Sequence, residues 1–123
     1  MQLRRSVFTL LFVLSLVCPA LAQQEAATIT GEVRDASGAL VPKAQITITN
    51  VETNVSLKSE TNDQGLYTVP GIKPGPYSIT VERSGFKKFV RSGVTLQVNQ
   101  TARIDINLQV GEMTSVVEIT GDA

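Results

Sequence analysis

Apolar and polar residues alternate with a period of two along most of this chain. Ile29, Gly31 and Val33 alternate with Thr30, Glu32 and Arg34, and Ala44, Ile46 and Ile48 with Gln45, Thr47 and Thr49. Tyr77, Ile79 and Val81 alternate with Ser78, Thr80 and Glu82, and Ala102, Ile104, Ile106, Leu108 and Val110 with Arg103, Asp105, Asn107 and Gln109. Successive side chains of a strand point to opposite faces, so each run offers one apolar and one wet face. Such strands are expected to be half-buried and antiparallel, and to fold by pairing their apolar faces. No window carries a helical stripe of comparable length, and the β-branched content of the runs agrees with the strand reading.

Turn chemistry falls between the runs. Asp35-Ala-Ser-Gly38 and Asn62-Asp-Gln-Gly65 each place a side chain that bonds its own backbone ahead of a glycine free to take positive φ. Pro74-Gly75-Pro76 is read as a stop before Tyr77, because proline donates no ladder hydrogen bond. Ser84-Gly85 and Val98-Asn99-Gln100 punctuate the rest. The strands expected are 28–34, 43–50, 54–61, 65–69, 76–83, 86–91 (with an extension to 98 left open) and 101–110. Seven short strands at this spacing predict an all-β, seven-stranded Greek-key β-sandwich. Residues 111–123 depart from the pattern, and 115–120 reads as an eighth edge strand or a frayed tail.

The first residues are of another kind. Arg4 and Arg5 precede an apolar run over 7–17, and Ala20 and Ala22 supply the small residues of a cleavage site. This is the order of a signal peptide, with cleavage expected after Ala22. The run is too short for a roughly 30 Å hydrocarbon core, which takes about 20 residues. The domain plan is therefore a signal peptide over 1–22, a short linker over 23–27, a sandwich over 28–110 and a tail or edge strand over 111–123.

Loss of the leader leaves 101 of the 123 residues, enough for one core. The single cysteine, Cys18, and two of the eleven basic residues leave with it, so the exported chain is cysteine-free with a net charge of −2. Neither a basic footprint for nucleic acid nor a polybasic patch for lipid is present. Histidine is absent altogether. That removes histidine-based acid–base work, nucleophile–histidine sets and the usual zinc ligand sets. Asp35, Asp63 and Asp105 read as turn or wet-face residues, and Asn62-Asp63-Gln64-Gly65 is a poor match to a calcium loop. The chain is expected not to be an enzyme and to carry neither metal nor cofactor.

Gly31-Glu-Val33-Arg-Asp35-Ala-Ser-Gly38-Ala-Leu-Val41-Pro42-Lys-Ala44-Gln-Ile46-Thr-Ile48 resembles the opening of carboxypeptidase regulatory-like domains, members of the prealbumin-like sandwich group. Thr61-Asn-Asp63-Gln-Gly65-Leu-Tyr67 and Pro74-Gly75-Pro76-Tyr77-Ser-Ile79-Thr-Val81, with Gly85-Phe86 beyond, continue the resemblance over about 28–110. Similar domains stand at the N-terminus of bacterial TonB-dependent outer-membrane receptors. There a segment like 111–121 leads into a plug and a barrel.

The resemblance implies a non-catalytic periplasmic module, associated with the outer membrane and acting as spacer or protein-interaction domain. It leaves open whether the chain is the start of a receptor or stands alone. The partners it implies are receptor components or a periplasmic protein, with no nucleic acid and no membrane span after cleavage. The alternative is a stand-alone carbohydrate-binding module. Phe86 and Phe89, three apart and so on opposite faces of a regular strand, are the candidate glycan contacts. Val116, Val117 and Ile119 are the candidate partner contacts, as an extended segment able to add to another sheet.

Overall fold

A computed structural model of the chain describes residues 25–121. The leader expected over 1–22 lies outside them. The described residues form nine strands: β1 (Ala27–Asp35), β2 (Gln45–Asn50), β3 (Ser56–Glu60), β4 (Leu66–Ile72), β5 (Gly75–Glu82), β6 (Lys88–Leu96), β7 (Thr101–Arg103), β8 (Ile106–Leu108) and β9 (Val116–Thr120). One sheet has the order β4-β1-β7, with β8 also on β1, and the other has β3-β2-β5-β6-β9. The two stack as a sandwich around Ile29, Val33, Ile46, Ile48, Ile79, Val81, Ile104 and Ile106, all buried.

Nine strands replace the expected seven because 101–110 is two short strands and 116–120 is a strand of its own. The expectation of purely antiparallel pairing is also corrected. β7 and β8 run parallel to β1, and β9 runs parallel to β6. A hairpin must reverse direction, but a connection that changes sheets need not, and both β6–β7 and β8–β9 change sheets. Val110, read as the last inward residue of its run, lies on the second crossing and is 74% exposed. β5 begins at Gly75, one residue before the start expected at Pro76.

The break between β7 and β8 has an identifiable cause. Ile104 N–H donates to the Thr30 carbonyl at 2.8 Å, as a parallel ladder requires. The next ladder bond would run from Glu32 N–H to the Ile104 carbonyl. That carbonyl instead accepts the Tyr67 hydroxyl at 2.5 Å inside the core. Glu32 N–H is taken over by Asp105 Oδ1 at 3.0 Å, while Asp105 Oδ2 accepts Arg103 Nε at 3.1 Å. Gly31 faces this junction, and a Cβ there would overlap the Ile104 carbonyl.

A second irregularity lies in β6. Tyr77 pairs with Val94 but Ile79 pairs with Arg91, so β6 holds one residue more than β5. Gly93, at φ 74°, absorbs the bulge. The extra residue switches the inward parity, so that buried Phe89 is followed by buried Val94 and Leu96.

Three turns share one device. Asp35 Oδ1 accepts Ser37 Oγ at 2.5 Å and the Ser37 and Ala39 amides, which together hold the carboxylate below its ordinary pKa. Asn50 Oδ1 accepts the Glu52 and Thr53 amides, and Asn62 Oδ1 those of Gln64 and Leu66. Thr61, buried, donates to the Val41 carbonyl and accepts Ala44 N–H, both at 2.8 Å, tying the 41–44 segment to the end of β3. The Tyr77 hydroxyl donates to the Lys73 carbonyl at 2.6 Å across the β4–β5 turn.

Burial, with the Asp105 carboxylate adding to it, pushes the Tyr67 hydroxyl well above the ordinary tyrosine value of 10. Above pH 10 the unfolded chain releases this proton while the folded chain keeps it, so stability falls as pH rises. Tyr67→Phe is expected to cost about 1–3 kcal/mol at neutral pH, through the orphaned Ile104 carbonyl, and to flatten the alkaline loss. Gly31→Ala is expected to cost about 3 kcal/mol or more. Thermal unfolding of both variants between neutral pH and pH 11 checks them; an alkaline slope unchanged in Tyr67→Phe contradicts the assignment.

Candidate interaction edges

Two sheets of unequal width leave four free edges, and each edge strand treats its outer backbone differently. On β4 the outer edge contains Pro70 and then Gly71 at φ 72°, which cannot extend a regular ladder. On β7–β8 the edge is interrupted where the Ile104 carbonyl turns into the core toward Tyr67. β3 and β9, the two margins of the wider sheet, are uninterrupted.

β9 is held by β6 alone. Lys88 N–H donates to the Ser115 carbonyl and Gly121 N–H to the Ser92 carbonyl, so odd-numbered residues face β6 and Val116, Glu118 and Thr120 turn their backbone groups outward. Four of its five residues are exposed. Val116 is exposed to 55% and Ile119 to 47%, while Val117, beside Phe89, is half-buried. Of the two readings of 115–120, an edge strand or a frayed tail, the structure has the edge strand, and what it offers to another chain is its outer edge.

The two phenylalanines do not form the aromatic platform that a sugar needs. Phe89 is buried in the core, and Phe86, half-buried, packs against it. Phe86 stands before β6 begins, where its backbone bridges to Val110, so strand alternation does not govern the pair.

β3 falls within the strand expected over 54–61, but the sequence does not single out its open margin, because the segment reads as an ordinary half-buried strand. Its Leu57 points inward yet stays 36% exposed, and Val55, just before it, is 62% exposed. Beside it a cleft of about 250 Å³ opens between the sheets, lined by Asn50, Thr53, Val55, Leu57, Lys73 and Tyr77. Among the described residues no group of three or more His, Cys, Asp or Glu is placed to hold a metal ion, and no helix is long and apolar enough to cross a membrane.

The carboxypeptidase regulatory-like domain family matches this chain over residues 28–109. A TonB-dependent transporter, Oar of Myxococcus xanthus, is 33% identical over 99 residues, which is 79% of this chain but only 9% of that protein. Among solved structures, catechol 1,2-dioxygenase from Acinetobacter sp. ADP1 superposes with a TM-score of 0.59 at 12% identity, covering 84% of this chain and 60% of that one. The dioxygenase domain of a dioxygenase–carbohydrate-binding fusion from Streptomyces sp. SirexAA-E gives 0.58 at 10% identity, covering 75% of this chain and 84% of that one.

These enzymes correct the expectation that the chain is not an enzyme. The sandwich is one on which dioxygenases are built, so the architecture does not separate catalytic from other domains. The absence of histidine from the sequence, and of cysteine from the described residues, removes only the chemistry that needs them. At these identities the likeness shows the fold alone.

The burial contrast along the β6–β9 margin sets the expected mutational response. Phe89→Ala should cost about 3–5 kcal/mol, as a buried aromatic truncated in a core. Val116→Ser and Ile119→Ser should each cost less than about 1 kcal/mol. Urea denaturation of the three variants checks this, and a loss at Ile119 equal to that at Phe89 contradicts the placement of β9 at an open margin.

Proposed function

Because the chain belongs to the carboxypeptidase regulatory-like domain family, we propose that it is the N-terminal module of a TonB-dependent outer-membrane receptor, working in the periplasm as a spacer and protein-interaction domain. The observation that carries this reading is the match to the Myxococcus xanthus transporter, which takes in most of this chain and a small fraction of that protein. A leader with an n-region, an apolar run and a small-residue cleavage site supports export. The open margins β3 and β9 support a role in contact with other chains, since unpaired backbone groups in register are the template for adding a strand.

The test is to read the gene beyond codon 123 and to locate the product. A reading frame that continues into plug and barrel sequence, in a product recovered from the outer membrane with its N-terminus at Gln23, is the expected result. A stop codon at that point with no receptor gene alongside, or a product retained in the cytoplasm with Met1 in place, overturns it.

A further inference from the structure

The charges on β3 are spaced for a copy of themselves, and we infer that this strand is a self-pairing edge through which two copies of the chain associate. The Thr61 N–H donates to the Ala44 carbonyl and the Val55 carbonyl accepts Asn50 N–H, so the odd residues of this strand face β2. The N–H and C=O groups of Ser56, Lys58 and Glu60 therefore point away from the sheet. Their side chains share its outer, solvated face.

Antiparallel pairing about a two-fold axis at Ser59 sets Lys58 of one copy opposite Glu60 of the other, and Glu60 opposite Lys58. Both are positions whose backbone groups point outward, so each pair exchanges two ladder bonds, four in all. Residues directly opposite on such a ladder have Cβ atoms about 4.5–5.5 Å apart, within reach of an ion pair. Lys58 makes no ion pair among the described residues. Glu60 accepts Gln45 Nε2 through Oε2 alone, leaving Oε1 for the partner's ammonium.

A lone lysine ordinarily guards an edge against pairing. Here the residue two further on supplies the opposite charge, so the guard holds only in the register that aligns Lys58 with itself. The other open margin lacks this complementarity. The register using the whole of β9 sets Glu118 against Glu118, and like charges directly opposite repel.

The joined sheet runs continuously through both copies and brings each exposed Leu57 to the partner's strand end. Pairing this short buries far less than the ~1,200 Å² of a stable complex, so the dimer is weak and depends on concentration. It is independent of the receptor reading, since it concerns the purified chain alone.

Sedimentation equilibrium of the processed chain over a wide concentration range tests it, with circular dichroism confirming that each variant folds. The chain should show reversible monomer–dimer behaviour. Lys58→Glu and Glu60→Lys, each alone, should weaken association about tenfold or more. An equal mixture of these two variants should associate at least as well as the unaltered chain, because it restores both ion pairs in this register, whereas a register that aligns position 58 or 60 with itself gains only one. Lys58→Pro, which removes an outward N–H and no internal bond, should be monomeric. A chain that stays monomeric throughout, or a mixture no more associated than its parts, overturns the proposal.

Discussion

One carbonyl group organises the narrower sheet. The Ile104 C=O leaves the ladder to meet the Tyr67 hydroxyl, which a buried phenol requires, since an unbonded hydroxyl in an apolar core is costly. Everything around it follows from that diversion. Asp105 replaces the lost acceptor for Glu32 N–H, and Gly31 must lack a side chain so that the carbonyl can pass. The last strand splits into β7 and β8, and the outer edge of this sheet loses its regularity at the same place. A single hydrogen bond thus couples β1, β4 and β7–β8.

That coupling also shapes the surface. The narrower sheet ends in margins that cannot accept a regular strand, one through Pro70 and Gly71 and the other through the turned peptide at 104–105. The wider sheet ends in β3 and β9, both regular. Edges regular enough to take an added strand are therefore confined to one sheet, and charge distinguishes the two. Glu118 opposes itself along β9, whereas Lys58 and Glu60 are offset by the two residues that an antiparallel partner needs.

Much of this was legible in the amino-acid order. The inward residues of β1, β2 and β5 are those the alternation marks, and the Asp35 and Asn62 turns use the side-chain bonds their residue types favour. Legibility failed where a residue's state depends on a distant strand. Phe89 and Val94 are both buried although five apart, because the bulge at Gly93 is defined only against β5. Thr61 shares the inward parity of Leu57 but is polar, and what allows its burial is two groups about twenty positions back in the chain.

Alternation and turn residues by themselves determined that this chain is a β-sandwich and which faces of its main strands are buried, because both are local: period two is a property of the strand, and an Asx turn of four or five residues. The partner of each strand, its direction and the openness of its edge were decided only by the tertiary structure. β7, β8 and β9 run parallel to neighbours reached by changing sheets, and nothing within 101–120 encodes the strand each will meet. Side-chain pattern sets the face a residue shows, but backbone pairing is non-local, and it decides which edges remain to be used.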